Sequence, residues 1–377
     1  MAILSFRRSL NGIIIAAIVG SVGAGVSAPA SVEGSSNNTN VTTPSLASPP
    51  VNNTKITTSA CAPVKNTNVT TPSLASPPVN NTTNEKLKVA TSVSPITDIV
   101  RNIGGDRIEL TGIVPEGVDS HTFELTPLDA VMVRNANLVI INGLHLETNF
   151  ENVVRAAGNP DLQLLKLADD TITEEQWIFD FSFPEAAGDP NPHLWLNVAY
   201  AMKYAELVCD KLVEMDSANA EYYSSNAQRY FALLQQLDQR IANAVQTISP
   251  ENRKLVTYHD SWAYFAPHYN MTVIGAVQPS DFGEPTPQEL ARIIDQLRAE
   301  GVPAVFGSEV FPSTVVEQIA REANVQTIGT LSDDDLPGEP GDLQNTYVGM
   351  MLENVRTMIP ALGGNASALE GIDPSIN

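Results

Sequence analysis

The sequence predicts an α/β protein of two lobes, each with a mostly parallel sheet flanked by helices, joined by one long rigid helix and preceded by a disordered N-terminal segment. Three observations carry that expectation. Short, continuously apolar, β-rich runs alternate with stretches of helical spacing, and they do so in two sets, one in each half of the chain. Such runs belong to parallel strands covered on both faces. Between the sets lies a single long apolar stripe of period three to four. Ahead of both lies a polar stretch of low complexity.

The first thirty residues read as a cleavable export signal. Arg7 and Arg8 start it, Ile13 to Val19 is its apolar run, and Ala28-Pro29-Ala30 offers small residues for cleavage. An uncleaved membrane anchor is the competing reading, although a bilayer asks for about 20 strongly apolar residues. Residues 31–86 form a linker in which NTNVTTPSLASPPVNNT occurs twice, at 38–54 and 66–82. A stretch rich in Asn, Thr, Ser and Pro, with almost no charge, buries too little apolar area to offset its ordering entropy. A flexible tether is expected there.

Residues 87–216 are assigned to an N-terminal α/β lobe, with strand candidates LKVATSVS, IELTGIV and ANLVIING. Residues 250–377 form the second lobe, with KLVTYHD, MTVIGAV, VPAVFGSE and VQTIGTL. In between, at 217–249, Tyr223, Ala227, Tyr230, Leu234, Leu237, Ile241, Val245 and Ile248 recur on one helical face. Asp216 or Ser217 is placed to cap this interlobe helix, and Pro250 follows its end.

Net charge and cysteine count narrow the function classes. At −22, with 21 basic against 43 acidic residues, the chain repels a phosphate backbone, which argues against nucleic-acid partners. Two cysteines make no disulfide framework. Cys61 falls in the linker and Cys209 in a helix, so both are expected to be free thiols.

Only five histidines are present, and their placement is informative. Ligands of doubly wound sheets bind beyond the carboxyl ends of the strands. His259 directly follows KLVTY, His121 lies in the loop after IELTGIV, and Asp333 follows VQTIGTLS. His193, in NPHLWLN, stands where a loop enters a helix. Each half supplies two groups, and three imidazoles with one carboxylate complete a shell for a divalent transition metal. Taken singly, each such histidine has an ordinary structural reading. His145 is expected to pack or to support the site, and His268 to sit in an exposed loop. Asp334 and Asp335 adjoin Asp333 as loop charges, Glu284 is expected to cap the following helix or back His259, and Glu309 to start a helix or back the site.

From Leu87 onward the chain resembles the cluster 9 family of periplasmic metal-binding proteins of zinc and manganese ABC importers. The resemblance rests on GVDSHTFELTP, NLVIINGLHLE, NPHLWLN, YHDSWAYFAPHYN, GEPTPQELARIIDQL, and TLSDDDL followed by TYVGMMLENV. It implies His121, His193, His259 and Asp333 as ligands of one metal ion carried as cargo, Zn²⁺ or Mn²⁺, with Trp195 and its neighbours screening the site. It also implies a monomeric extracytoplasmic receptor whose partner is a membrane permease. The metal cues diverge: family members with glutamate in place of His259 go with manganese, whereas the histidine-rich loop of many zinc members is replaced here by EEQWIFDFSFPEAAGD. Rival readings are a metal-dependent hydrolase and a tethered surface adhesin. The hydrolase lacks an H-E-x-x-H pair, and G-x-S-x-G is also absent.

Overall fold

The computed structural model describes Ser59, residues 61–63, 85–311 and 314–374. The expected signal and both copies of the repeat lie outside the described residues. Among these residues the strands form two four-stranded sheets of the same parallel order, β2-β1-β3-β4 and β6-β5-β7-β8. The first comprises β1 (Leu87–Thr91), β2 (Ile108–Gly112), β3 (Leu138–Ile141) and β4 (Gln163–Lys166); the second, β5 (Lys254–Thr257), β6 (Thr272–Ala276), β7 (Ala304–Ser308) and β8 (Gln326–Leu331).

Each apolar run named in the sequence contains one of these strands. β3 and β7 are buried at every position, as continuous Val/Ile/Phe-rich runs demand. β4 was not anticipated: its four residues QLLK carry one fully buried side chain, too little pattern to read. In both sheets the order reverses at the first strand, so β1/β3 and β5/β7 are the switch points where loops diverge and leave a crevice.

Among the described residues nine α-helices accompany the sheets. α1 (Ser94–Gly104), α2 (Pro127–Asn135), α3 (Thr148–Ala156) and α4 (Val198–Met215) belong to the first half. They are followed by α5 (Ala220–Val245), α6 (Phe265–His268), α7 (Pro287–Glu300), α8 (Thr314–Ala323) and α9 (Tyr347–Ala361). The apolar stripe forms α5, whose 26 residues span about 39 Å. Its buried face (Tyr223, Ala227, Tyr230, Leu234, Leu237, Ile241) packs on α1 and α4 from one half and α9 from the other. Neither Asp216 nor Ser217 caps it. Asp216 ends α4 instead and accepts from Asn219 and the Tyr223 hydroxyl, with the 3₁₀ turn Ser217–Asn219 between the helices.

The largest apolar core is continuous across both halves. It runs from Val89, Ile96 and Ile140 through Trp195, Tyr230 and Leu234 to Trp262, Phe306, Met350 and Val355. Smaller cores lie on the outer face of each sheet, around Val139 and Ile141 in one half and Val305 and Ile319 in the other. Polar ties accompany the shared core. Asp98 on α1 accepts from Tyr347 N at the start of α9 (2.9 Å), where a helix N-terminus favours a carboxylate. No helix among the described residues is long and apolar enough to cross a membrane.

The expectation of free thiols is overturned: Cys61 and Cys209 form a disulfide, with Cα atoms 6.0 Å apart. The sequence could not show that the linker folds back onto α4. There Ser59 Oγ donates to Asp210 (3.1 Å), Gln228 Nε2 donates to Ala62 O (3.0 Å), and Cys61 is fully buried. Thiol titration of the native protein should therefore find no free thiol, and of the reduced, unfolded chain two. Cys209→Ser should lower unfolding stability by roughly 2–4 kcal/mol in a denaturant titration, since the bond restrains the unfolded chain over 148 residues.

Candidate metal site

The loops at the carboxyl ends of the strands carry the four residues singled out in the sequence. His121 follows β2 by nine residues; its amide is held by Asp119 Oδ1 (2.9 Å), and the neighbouring Ser120 Oγ donates to Asp334 across the cleft (2.6 Å). His193 opens the 3₁₀ turn Leu194–Leu196. His259 lies two residues past β5, at the switch point of the second sheet, and its carbonyl accepts from Thr257 Oγ1 (2.6 Å). Asp333 lies two residues past β8.

Three of these converge. His121 Nε2 is 3.2 Å from His193 Nε2 and 3.2 Å from His259 Nε2. Donors held by a tetrahedral ion with bonds of about 2.0 Å sit about 3.3 Å apart, so the spacing is that of a coordination shell. The tautomer of His193 follows from its partner. Asn191 Nδ2 donates to Asp260 O (2.6 Å) and Asp180, which leaves Asn191 Oδ1 to accept from His193 Nδ1 (2.8 Å). The Nε2 lone pair of His193 therefore faces the other two rings.

Asp333 joins the cluster through His259. Its Oδ2 lies 2.9 Å from His259 Nδ1 and accepts from Ser261 Oγ. His259 Nδ1 is buried and, despite that distance, makes no well-angled hydrogen bond; the pair is held by charge more than by alignment. Asp333 and Asp334 group with His259, while His121 and His193 group with it on the other side, so His259 is the member common to both sets.

Burial and charge divide the imidazoles. Desolvation, and then the nearby charge of His259, push His121 and His193 well below the ordinary histidine value. Burial opposes protonation of His259 too, but the carboxylate of Asp333 overrides it and raises this ring to about 10. Asp333, despite the same burial, is held below the usual carboxylate range by His259 and Ser261. Burial lifts Asp334 to about 7.

Other residues complete the surroundings: Glu309 and Trp195, which the sequence offered as supports, and Phe282 and Phe183, which it did not. Glu309, just past β7, is buried, and desolvation together with Asp333 and Asp334 pushes it well up. Its Oε1 accepts from three successive amides, those of Asp333, Asp334 and Asp335 (2.8, 3.0 and 3.2 Å), and so sets the conformation of the acidic loop. Phe282 stacks on His121 at 4.6 Å with an interplanar angle of 8°, from a backbone of φ +56° that a phenylalanine rarely adopts. Phe183 closes over His121 and His193. Trp195 flanks His193 and donates from Nε1 to Asp333 O (2.7 Å), bridging the halves. Glu284 is exposed, and helix α7 is capped by Thr286 with Glu289 instead. His268, expected in an open loop, ends α6 and pairs with Asp238 (2.8 Å). His145 lies beyond β3, paired with Asp189.

A model of the family described as zinc-uptake complex component A, periplasmic, matches residues 89–361. The chain belongs to this family. Among its relatives, the manganese-binding lipoprotein MntA of Halalkalibacterium halodurans is 31% identical over 278 residues, covering 74% of this chain and 89% of that protein. Among solved structures, the periplasmic zinc-binding protein TroA of Treponema pallidum superposes with a TM-score of 0.67 at 28% identity, covering 74% of this chain and 99% of that one. A Mn-bound periplasmic metal-binding protein of Candidatus Liberibacter asiaticus reaches 0.63 at 27% identity, over 74% of this chain and all of that one. As in other members of the zinc-uptake component A family, the fold is two four-stranded parallel sheets flanked by helices.

Asp333→Asn should lower the His259 pKa from about 10, because the carboxylate that favours its protonated form is gone. Following the histidine ring protons by NMR across pH 5–10 on metal-free protein checks this; an unmoved titration refutes the pairing.

Proposed function

We propose that the protein is an extracytoplasmic receptor that captures one divalent transition-metal ion, zinc or manganese, in the interlobe cleft and delivers it as a monomer to the membrane permease of an ABC-type importer. The observation that carries this reading is the convergence of three Nε2 atoms at 3.2 Å spacing. Two bare Nε2 lone pairs facing one another at that distance repel; a proton on one ring relieves the contact in the absence of cargo, and an ion that displaces the proton can be held by all three nitrogens at once. His193 and His259 are at most 1% exposed, and aromatic rings close over His121. A hydrolytic metal needs an open coordination position for water; this arrangement shields the ion, which suits carriage.

His121, His193 and His259 supply the nitrogen donors. Asp333 pairs with His259 Nδ1, on the far side of the ring from the three Nε2 atoms, and closes the shell as its carboxylate only by turning from Nδ1 toward the Nε2 side when an ion is bound. Export, by the signal at 1–30, and the tether at 31–86 belong to the same proposal. So do the boundaries at 87–216, 217–249 and 250–377. Imidazole-rich sites bind Zn²⁺ above Mn²⁺, so compartment availability decides the physiological cargo.

The proton held by His259 up to pH of about 10 must leave on binding. Affinity therefore rises with pH through the neutral range and falls on acidification. Calorimetry with Zn²⁺ in buffers of differing ionisation enthalpy should find at least one proton released per ion at pH 7. Competition titration should show Zn²⁺ displacing Mn²⁺; a protein that takes up neither ion ends the receptor reading.

Glu309 tests the support of the acidic loop. Glu309→Ala removes the acceptor for three amides and should weaken Zn²⁺ binding about 10- to 100-fold, the usual cost of losing a group that orients a ligand. Glu309→Gln keeps a carbonyl oxygen there and should stay within a few-fold of the parent.

A further inference from the structure

His193 is held through its ring and, separately, through its backbone. The ring grip is Asn191, tied in turn to the segment after β5 through Asp260 O. The backbone grip begins with a tight turn. His193 has φ −79° and ψ +55°, and Leu194 N donates to Pro192 O (2.8 Å), the geometry of an inverse γ-turn centred on the histidine. In so short a turn the direction of the Pro192 carbonyl sets the direction in which the side chain of His193 leaves the chain. That carbonyl has a second partner, Asn142 Nδ2, at 2.8 Å.

Asn142 is fully buried and stands one residue past β3, beside the switch point of the first sheet. Every polar atom of its side chain is engaged. Nδ2 meets two carbonyl oxygens, those of Pro192 and Gly143 (3.2 Å), which settles which end of the amide carries nitrogen. Oδ1 is left to accept from the Tyr204 hydroxyl on α4 (2.6 Å). Burial, and after it the charge of Glu147, push the Tyr204 phenol well above its usual range, so this donor keeps its proton. Behind the side chain, the backbone N–H of Asn142 donates to Glu147 Oε1 (2.9 Å). The amide has one orientation open to it.

The second sheet repeats the arrangement. Glu309, one residue past β7, holds the equivalent place in the strand order and grips the segment that carries Asp333. Asn142 meets a carbonyl where Glu309 meets amides, and the donor and acceptor roles are exchanged accordingly.

We propose that Asn142, its amide oriented by Tyr204, is the positioning residue that aims His193 at the other two imidazoles. It touches no cargo and acts through Pro192. The proposal rests on the reading of the His121 cluster as the cargo site.

The test measures Zn²⁺ affinity of the metal-free full-length protein by competition with a chromophoric chelator, and site geometry by the visible absorption of Co²⁺-loaded protein. Asn142→Ala should raise the Zn²⁺ Kd about 10- to 100-fold and shift the Co²⁺ bands, as losing a group that orients a ligand does. Tyr204→Phe keeps the ring in the core and removes only the hydroxyl; it should raise the Kd roughly five-fold, the smaller cost of a partner one bond further out. In a His193→Ala background, Asn142→Ala should add less than about two-fold, because two changes acting through one ligand do not add. A full additive loss in the double variant overturns the proposal, by making Asn142 a general support of the fold. A folded Asn142→Ala with parental Kd and Co²⁺ spectrum overturns it too. Should Asn142→Ala fail to fold, Tyr204→Phe decides alone, and an unmoved Kd and spectrum overturn the proposal. Failure of the cargo reading shows separately, as a parent protein that binds neither Zn²⁺ nor Co²⁺.

Discussion

Three imidazole nitrogens held about a bond-pair's width apart are the constraint on which the site depends. Three rings brought that close must share protons or an ion among their Nε2 atoms, and their orientations must be fixed for either. Each ring is therefore gripped from behind: His193 by Asn191, the segment of His121 by Asp119, and His259 by the charge of Asp333. The grips have grips of their own. Asn191 is fixed by Asp180 and the Asp260 carbonyl, and Asp333 by Ser261 and by a loop wound around Glu309. Part of the folding free energy goes into keeping these nitrogens pre-aimed.

The two halves that supply the rings share one core. Trp195 illustrates the consequence: fully buried, it flanks His193, donates to the Asp333 carbonyl, and its own carbonyl accepts from the Tyr347 hydroxyl (2.7 Å). With α5 packed against helices of both halves, wide separation of the lobes would expose apolar surface at about 25 cal/mol per Å². Cargo exchange under that restraint is better served by loop and side-chain movement around Phe183 and Phe282 than by a swinging hinge.

What the sequence made legible follows from locality. Strands buried on both faces announce themselves as apolar runs, and the stripe of α5 needs only its own residues to be seen. The convergence of His121, His193 and His259 was foreseeable because loops past parallel strands are where such folds bind ligands, and because a resemblance indicated which histidines to choose. Asn191 and Phe282 were not visible as partners, and Glu309 only as one of two alternatives, because their roles arise from contacts between distant segments: Glu309 reaches the Asp333 amide 24 residues away, and Asn191 the Asp260 carbonyl 69 residues away. β4 was missed for the opposite reason, being too short and too exposed to leave a pattern. Cys61 misled because a linker was judged by its composition, and composition does not report where a chain folds back.

That bond between Cys61 and Cys209 changes the covalent topology of the molecule. The second copy of the repeat, 66–82, lies between Cys61 and the first strand at Leu87, so it is a bight with both ends fastened to the same body. A protease that cuts inside this bight severs the peptide chain, but the disulfide still joins the two fragments, which part only after reduction. A cut before Cys61 separates everything ahead of it from the folded body at once. The two copies, identical in letters, are thus unequal as places to be cut.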